Sequence, residues 1–289
     1  MSSLDLWPIG NCQVSALIDR DGGFVWACVP RVDGDPIFSS LIGGERPSHG
    51  FWSIELEGCA SVEQAYERNT PILKTVKKDE SGNAIEIVDF CPRFRRLGRA
   101  YRPVAFVRIV RPIEGSPRVA VRLRPTRNWG EPCPPSSGGS NHLRFAGSSM
   151  DMRLTTDAPV GLVTEERAFR LERPLTFFLG PDESFTGDLS RSAEEMLANT
   201  AVEWREWVRG LATPVEWQSE VIRAAISLKL CQHEETGAIV AALTTSIPEH
   251  SGSERNWDYR YCWIRDAYYT VQALNRLGPL DVLEGYLAY

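Results

Sequence analysis

The chain has 289 residues, a formal net charge of −6, and 43% hydrophobic against 24% charged residues. Its length is about twice that of a typical domain, so the sequence predicts two domains or one large one, and its apolar content excludes a disordered chain. The mildly acidic balance argues against a nucleic-acid-binding protein, which would carry a strong basic excess.

Up to about residue 190, short β-branched and aromatic runs alternate with turn residues. This pattern is typical of a large antiparallel β-sandwich. Residues 10–18 and 24–29 read as a hairpin with Asp-Gly turn chemistry, and 131–140 as a Pro/Gly/Ser-rich loop. Further strands are predicted at 52–56, 72–76, 85–90, 104–110, 119–123, 168–171 and 175–178.

Residues 89–127 hold eleven arginines against only two acidic residues. Such a stretch could bind an anion or an acidic partner. We instead expect arginines that flank apolar strand residues to lie on the outer face of the sheet, solvated or paired. The arginines in question are Arg108, Arg111, Arg122 and Arg124.

Beyond residue 190 the hydrophobic pattern becomes helical. A capping box at 192–195 predicts a helix to about Arg209, Pro214 opens a second, and further helices begin near Ile264 and Asp281. The pair Glu234-Glu235 near a helix end is expected to be solvated surface. Because so few amphipathic helices leave apolar stripes without partners, we expect a chain that is cut off at Tyr289.

The seven cysteines are scattered, without a Cys-x-x-Cys pair, and predict reduced, mostly buried thiols in a cytoplasmic protein. The four histidines show no metal-ligand spacing. Signatures of serine hydrolases, dinucleotide enzymes and P-loop NTPases are missing. No uncharged stretch is long enough for a membrane helix, and no secretion signal is recognised.

The densest chemical signal is NWDYRYCWIRDAYYT, residues 256–270, in which six aromatic residues fall within 13 positions. The first four alternate, so in an extended loop they would share one face, and Arg265-Asp266 follows at the start of a helix. An aromatic face packs on the C–H surface of a sugar, while carboxylate and guanidinium bind vicinal hydroxyls. The alternative is an aromatic core strand that ends in a structural ion pair.

Three segments resemble glycoside hydrolase family 15. Residues 6–44 resemble the opening of its trehalase-like N-terminal domain, 219–249 the first helix and following loop of its catalytic domain, and 255–267 its glucose-binding loop. The resemblance implies a multidomain β + α fold. An antiparallel β-sandwich (1–190) would be followed by a helical linker (191–213) and by the first helices of an incomplete (α/α)6 toroid (214–289).

The resemblance also implies an inverting, exo-acting α-glucosidase of glucoamylase type that takes α-glucosides or oligosaccharides. Trehalase of the same family is the alternative; a non-catalytic sugar-binding or structural β-sandwich module is the alternative from another class. Arg265 and Asp266 would bind the terminal glucose, and Trp263 and Tyr259 would line the same subsite, with Tyr261 and Trp257 in support.

Both catalytic glutamates of the family lie in later hairpins of the toroid and have no counterpart in this sequence. We therefore expect the 289-residue chain alone to be inactive. Inversion by two carboxylates implies no cofactor. The resemblance suggests no metal ion, nucleic acid or membrane as a partner.

Overall fold

The computed structural model describes residues 4–44, 47–250 and 252–289. In chain order, the strands are β1 (Trp7–Gly10), β2 (Ser15–Ile18), β3 (Phe24–Val29), β4 (Asp35–Phe38), β5 (Phe51–Leu56), β6 (Cys59–Tyr66), β7 (Leu73–Asp79), β8 (Ala84–Phe90), β9 (Phe94–Arg96), β10 (Arg99–Tyr101), β11 (Phe106–Glu114), β12 (Arg118–Arg124), β13 (Thr126–Arg127), β14 (Glu131–Pro132), β15 (Pro135–Gly138), β16 (His142–Phe145), β17 (Met152–Thr156), β18 (Phe169–Arg170) and β19 (Leu175–Pro181). The helices are α1 (Val160–Thr164), α2 (Leu189–Arg209), α3 (Gln218–Leu230), α4 (Ile264–Arg276) and α5 (Leu280–Ala288).

Most strands belong to two antiparallel sheets. The first sheet has the order β1-β2-β3-β5-β12-β18 with β4 paired to β3, and the second has the order β15-β16-β17-β19-β11-β8-β7-β6. One hydrophobic core fills the space between them, where the rings of Phe24 and Trp52 from the first sheet meet Phe106 and Phe177 from the second. The predicted antiparallel sandwich followed by helices is confirmed at this level.

Helices cover the outer faces of both sheets. On the second sheet, Ala193 and Ala201 of α2 are buried in one cluster with Val107 and Phe178. On the first sheet, α3, α4 and α5 share a cluster with Trp26 and other residues of β2 and β3. The expectation that the helical stripes lack partners is therefore wrong for these buried positions, because an outer sheet face supplies the partner. It holds for other positions of the same helices, since Ile264, Tyr269 and Leu287 are exposed.

Several predicted boundaries are corrected. Residues 10–18 form two strands rather than one. The chain reverses between them because the Asn11 side chain accepts hydrogen bonds from the N–H groups of Gln13 and Val14, at 3.0 Å each. Helix α2 begins at Leu189, before the predicted capping box, because Asp188 caps it by accepting from the Arg191 N–H at 2.8 Å.

Other differences concern polar segments. The predicted loop 131–140 contains β14 and β15, and the predicted helix start at Pro214 moves to Gln218. The sequence prediction missed β6 altogether, because this edge strand is largely exposed and polar and therefore lacks an apolar pattern. Its pairing with β7 decides its conformation.

The arginine expectation holds for three residues and is wrong for one. Arg111, Arg122 and Arg124 are paired on the outside with glutamates, at N···O distances of 2.6–3.7 Å. Arg108 instead lies fully buried between the sheets and donates to both carboxylate oxygens of Asp89, at 2.8 and 3.1 Å. A buried carboxylate on the neighbouring strand makes that position possible.

All seven cysteines are free thiols, as predicted, and four of them are buried. Burial raises the pKa of the Cys28 thiol to about 12 and that of Cys231 to about 12, so neither is a reactive thiolate at neutral pH. Within the described ranges, no helix has the length and apolar character needed to cross a membrane.

Candidate functional site

The candidate site consists of the loop at residues 255–263 and the first turn of α4. The main chain of this loop is fixed against the segment after α3, because the N–H groups of Ala241 and Ala242 donate to the carbonyls of Tyr261 and Tyr259, at 3.0 Å each. The segment is not a strand, and Trp257 and Tyr261 are 38% and 54% exposed. The alternative of an aromatic core strand is therefore wrong.

The loop is also not extended throughout. The Asp258 carboxylate accepts from the Arg260 N–H at 3.0 Å, and the chain turns at residues 259–260. Such Asx-type turns interrupt the alternation of side chains that an extended segment would show. Tyr259 and Trp263 are half-buried, unlike Trp257 and Tyr261, so the expected single aromatic face does not form.

The structure brings Trp263, Arg265 and Asp266 together. Nη2 of Arg265 lies 3.1 Å from Oδ2 of Asp266, and the two side chains are 68% and 30% exposed. The guanidinium carbon of Arg265 is 5.9 Å from the centre of the Trp263 ring. Asp266 lies in the first turn of α4, where the backbone N–H groups have no acceptor within the helix. An acceptor, a donor and an aromatic ring are thus available to one ligand.

Tyr259 stands apart from this group. Its carbonyl is bound to Ala242, and in the described part of the chain no recorded contact joins its side chain to the Arg265–Asp266 pair. The Trp263 indole, in contrast, is held firmly, because its Nε1–H donates to the Asp258 carbonyl at 2.9 Å. The structure therefore positions Trp263 more directly than Tyr259.

Sequence reasoning missed Arg260, the most buried residue of the loop, which is 4% exposed. Its guanidinium donates to both carboxylate oxygens of Asp258, with Nη2 2.7 Å from Oδ2, and Nη1 donates to the Gly34 carbonyl of the sandwich at 2.9 Å. Burial alone would raise the pKa of the Asp258 carboxyl, but the hydrogen bonds from Arg260 outweigh it and the pKa is lowered. The Asp-x-Arg spacing of Asp258 and Arg260 is the one sequence signal that could have indicated this ion pair.

A second polar cluster joins the sandwich to the helices. Glu234 accepts from Arg93 at 2.9 Å, from Lys229 at 2.8 Å and from Arg102, and its side chain is only 15% exposed. The expectation of solvated surface is wrong for Glu234, although Glu235 is exposed. The cluster borders a cavity of about 460 Å³ between the β9–β10 hairpin and α2, α3 and α5. The cations share the Glu234 carboxylate and join the sandwich to the helices, so we assign the cluster a structural role.

No group of three or more His, Cys, Asp or Glu side chains among the described residues is arranged to hold a metal ion. The polar groups at the start of α4 include one carboxylate, that of Asp266. Inverting hydrolysis needs a pair of carboxyl groups, one as acid and one as base, roughly 6.5–9.5 Å apart.

Comparison with known proteins finds two matching families. Residues 6–166 match the family described as "Trehalase-like, N-terminal", and residues 217–288 match "Glycosyl hydrolases family 15". The candidate loop and α4 lie within the second match. No solved structure matches the chain significantly.

Similar curated proteins include three trehalases. The chain is 28% identical over 283 residues to that of Thermoplasma volcanium, with 93% of this chain and 44% of the relative covered. It is 27% identical over 296 residues to that of Mycolicibacterium smegmatis (93% and 44% covered) and 27% over 314 residues to that of Mycobacterium tuberculosis (97% and 45%). The chain thus spans less than half the length of these relatives.

Proposed function

The chain belongs to the family 15 glycosyl hydrolases that carry a trehalase-like N-terminal domain, and on that premise we propose that its gene product is a trehalase. The relatives named trehalase match nearly the whole chain, which favours this activity over the glucoamylase-type activity expected from the sequence. We also propose that residues 214–289 begin an (α/α)6 toroid after a sandwich (1–190) and a linker (191–213). Seven free cysteines support a cytoplasmic location.

The observation that carries the proposal is the group of Trp263, Arg265 and Asp266 at the mouth of α4. Trehalose presents a glucose ring with vicinal hydroxyls on each side of its linkage. The Asp266 carboxylate can accept from two hydroxyls, Arg265 can donate to a ring substituent, and Trp263 offers an apolar plane. We include Tyr259 in the proposed glucose subsite on the family resemblance, although it stands apart from the other three residues.

Asp266→Asn is expected to lower kcat/KM for trehalose by about 10² or more in the gene product. The amide keeps the shape of the side chain but replaces two charge-assisted acceptor contacts, each worth about 1.5–3 kcal/mol. Steady-state glucose release measures the effect. Glu284→Gln, which removes an exposed carboxylate from α5, is the control and should leave kcat/KM unchanged. Equal activity of wild type and Asp266→Asn would remove Asp266 from the subsite.

The substrate is tested by measuring glucose release from trehalose, maltose and isomaltose side by side. Preference for trehalose supports the proposal, whereas preference for maltose would contradict it and support the glucoamylase-type activity instead. Binding of sugars without hydrolysis would indicate the non-catalytic module. The 289-residue chain alone should release no glucose, and turnover by it that Asp266→Asn abolishes would show that the catalytic carboxylates lie within these residues.

A further inference from the structure

We propose that Arg260 is a positioning residue through which the β-sandwich sets the geometry of the glucose subsite. The proposal rests on the proposed function for the identity of the ligand, but the positioning itself can be measured without any sugar. Among the described residues, Arg260 makes no hydrogen bond or ion pair with Arg265 or Asp266, and it acts on the subsite through Asp258 and Trp263.

The sandwich side of this connection is rigid. Nη1 of Arg260 donates to the carbonyl of Gly34, which ends the tight turn between β3 and β4. A Cβ on Gly34 would lie 2.2 Å from the Val29 carbonyl oxygen, so this turn is closed as tightly as its backbone allows. The carbonyl that receives Arg260 therefore has a fixed position.

A second residue of the sandwich, Trp129, packs against the face of the same guanidinium. The Arg260 guanidinium carbon lies 4.4 Å from the centre of the Trp129 ring, in cation–π geometry. Trp129 is itself anchored, because the N–H groups of Asn128 and Trp129 donate to the Asp35 carboxylate at 2.8 and 3.1 Å. Two separate parts of the sandwich thus meet on one arginine.

The loop side of the connection ends at the subsite. Nε and Nη2 of Arg260 hold the Asp258 carboxylate, whose orientation is fixed further by the Arg260 N–H. The main-chain carbonyl of Asp258 then accepts the Trp263 indole N–H at 2.9 Å. The Trp263 ring in turn lies beside Arg265. The steps from Gly34 through Arg260 and Asp258 to Trp263 are hydrogen bonds or ion pairs, and the last step, from Trp263 to Arg265, is a cation–π contact.

This connection differs from the main-chain contacts of Ala241 and Ala242, which fix where the loop runs but do not orient the Trp263 ring. Arginine suits the task because its planar fork binds a carboxylate in two places while a third nitrogen reaches another acceptor. Lysine at this position would keep the charge and lose the geometry. The orientation of Trp263 is therefore expected to depend on Arg260 rather than on charge alone.

Hydrogen exchange of the Trp263 indole N–H tests this connection in the folded chain. In a ¹⁵N-labelled sample, this signal is identified by its loss in Trp263→Phe. We expect Arg260→Met to accelerate its exchange by about tenfold or more, since the loss of one charge-assisted contact is worth that factor. Arg167→Met is the matched control: Arg167 binds Glu165 at 3.2 Å across the same two-residue spacing, is 69% exposed, and lies between α1 and β18, outside the connection. Its removal should leave the Trp263 signal unchanged.

Trp129→Leu keeps the proposal testable if Arg260→Met fails to fold. Trp129 is 51% exposed, so its replacement should be tolerated, and we expect a smaller acceleration of about threefold because one of the two sandwich contacts is lost. Unchanged indole exchange in folded Arg260→Met, or in Trp129→Leu when Arg260→Met does not fold, would overturn the proposal.

The catalytic consequence is measured on the gene product with trehalose. Arg260→Met should raise KM by about tenfold with a smaller change in kcat, because the misplaced Trp263 weakens ground-state binding. Faster indole exchange with an unchanged KM would overturn the functional part of the proposal. Absence of any sugar turnover in wild type would count against the proposed function, and the indole exchange would still decide the positioning role.

Discussion

Arg108→Met is expected to lower the free energy of unfolding by about 3–5 kcal/mol, because it leaves a buried carboxylate without its cation. Arg108 and Asp89 are both fully buried between the sheets, and the guanidinium also donates to the Trp52 carbonyl at 2.7 Å and lies 4.5 Å from the centre of the Phe24 ring. Burial raises the pKa of the Asp89 carboxyl, while Arg108 opposes that rise. Without the arginine, the folded protein must protonate Asp89 or bury its charge.

Urea unfolding measures the loss. Arg122→Met, which removes an arginine that is 40% exposed and 3.3 Å from a Glu55 oxygen, should cost less than about 1 kcal/mol. The double variant Arg108→Met with Asp89→Asn should regain part of the stability, because it removes the uncompensated charge as well as the cation. A cost for Arg108→Met no larger than that of Arg122→Met would show that the buried pair is not stabilising the sandwich.

Glu234→Gln is expected to lower the free energy of unfolding by about 3 kcal/mol, because three cationic side chains lose their shared carboxylate. Two of these cations, Arg93 and Lys229, are 8% and 1% exposed and cannot turn to solvent without opening the joint between sandwich and helices. Asp281, at 3.1 Å from the Lys229 Nζ, remains as a partial counter-charge. Thermal or urea unfolding checks the size of the loss.

The loss should depend on pH in a defined direction. Burial lowers the pKa of Lys229 below its ordinary value, so the unfolded chain binds this proton more tightly and stability rises with pH through that range. Removing the Glu234 charge lowers the pKa of Lys229 further, and the cost of Glu234→Gln should therefore shrink as the pH rises toward the ordinary pKa of a lysine. Glu235→Gln, an exposed neighbour, should cost less than about 0.5 kcal/mol at every pH. A loss that grows with pH would contradict this account.

The strands that sequence predicted well are those whose pattern comes from burial. β5 alternates buried and half-buried residues, whereas β8 and the first five residues of β11 are almost continuously buried because both faces of the second sheet are covered. The continuous burial of β11 also explains why the sequence analysis wrongly placed Arg108 on the outer face of the sheet. A polar residue inside a run that is buried on both sides must also be buried, and its partner Asp89 stands on the adjacent strand, 19 positions away.

The site was predictable only in its local part. Trp263, Arg265 and Asp266 lie within four positions of one another, so a single segment of sequence indicates their chemistry. Arg260 depends on Gly34, 226 positions away, and Glu234 on Arg93, 141 positions away. Nothing near either residue reports such a partner, because the contacts are created when helices close on the outer face of the first sheet.

The long helix α2 has a consequence for how the molecule comes apart. At 21 residues it measures about 31 Å, and it places Ala193 and Ala201 in the cluster on the second sheet but Trp204 and Val208 in the cluster on the first. One helix thus belongs to both hydrophobic clusters outside the sandwich. If either cluster unfolds, α2 loses its packing and exposes apolar residues of the other cluster. Strands and helices should therefore unfold together in one cooperative transition. Calorimetry would show this as a single heat-absorption peak.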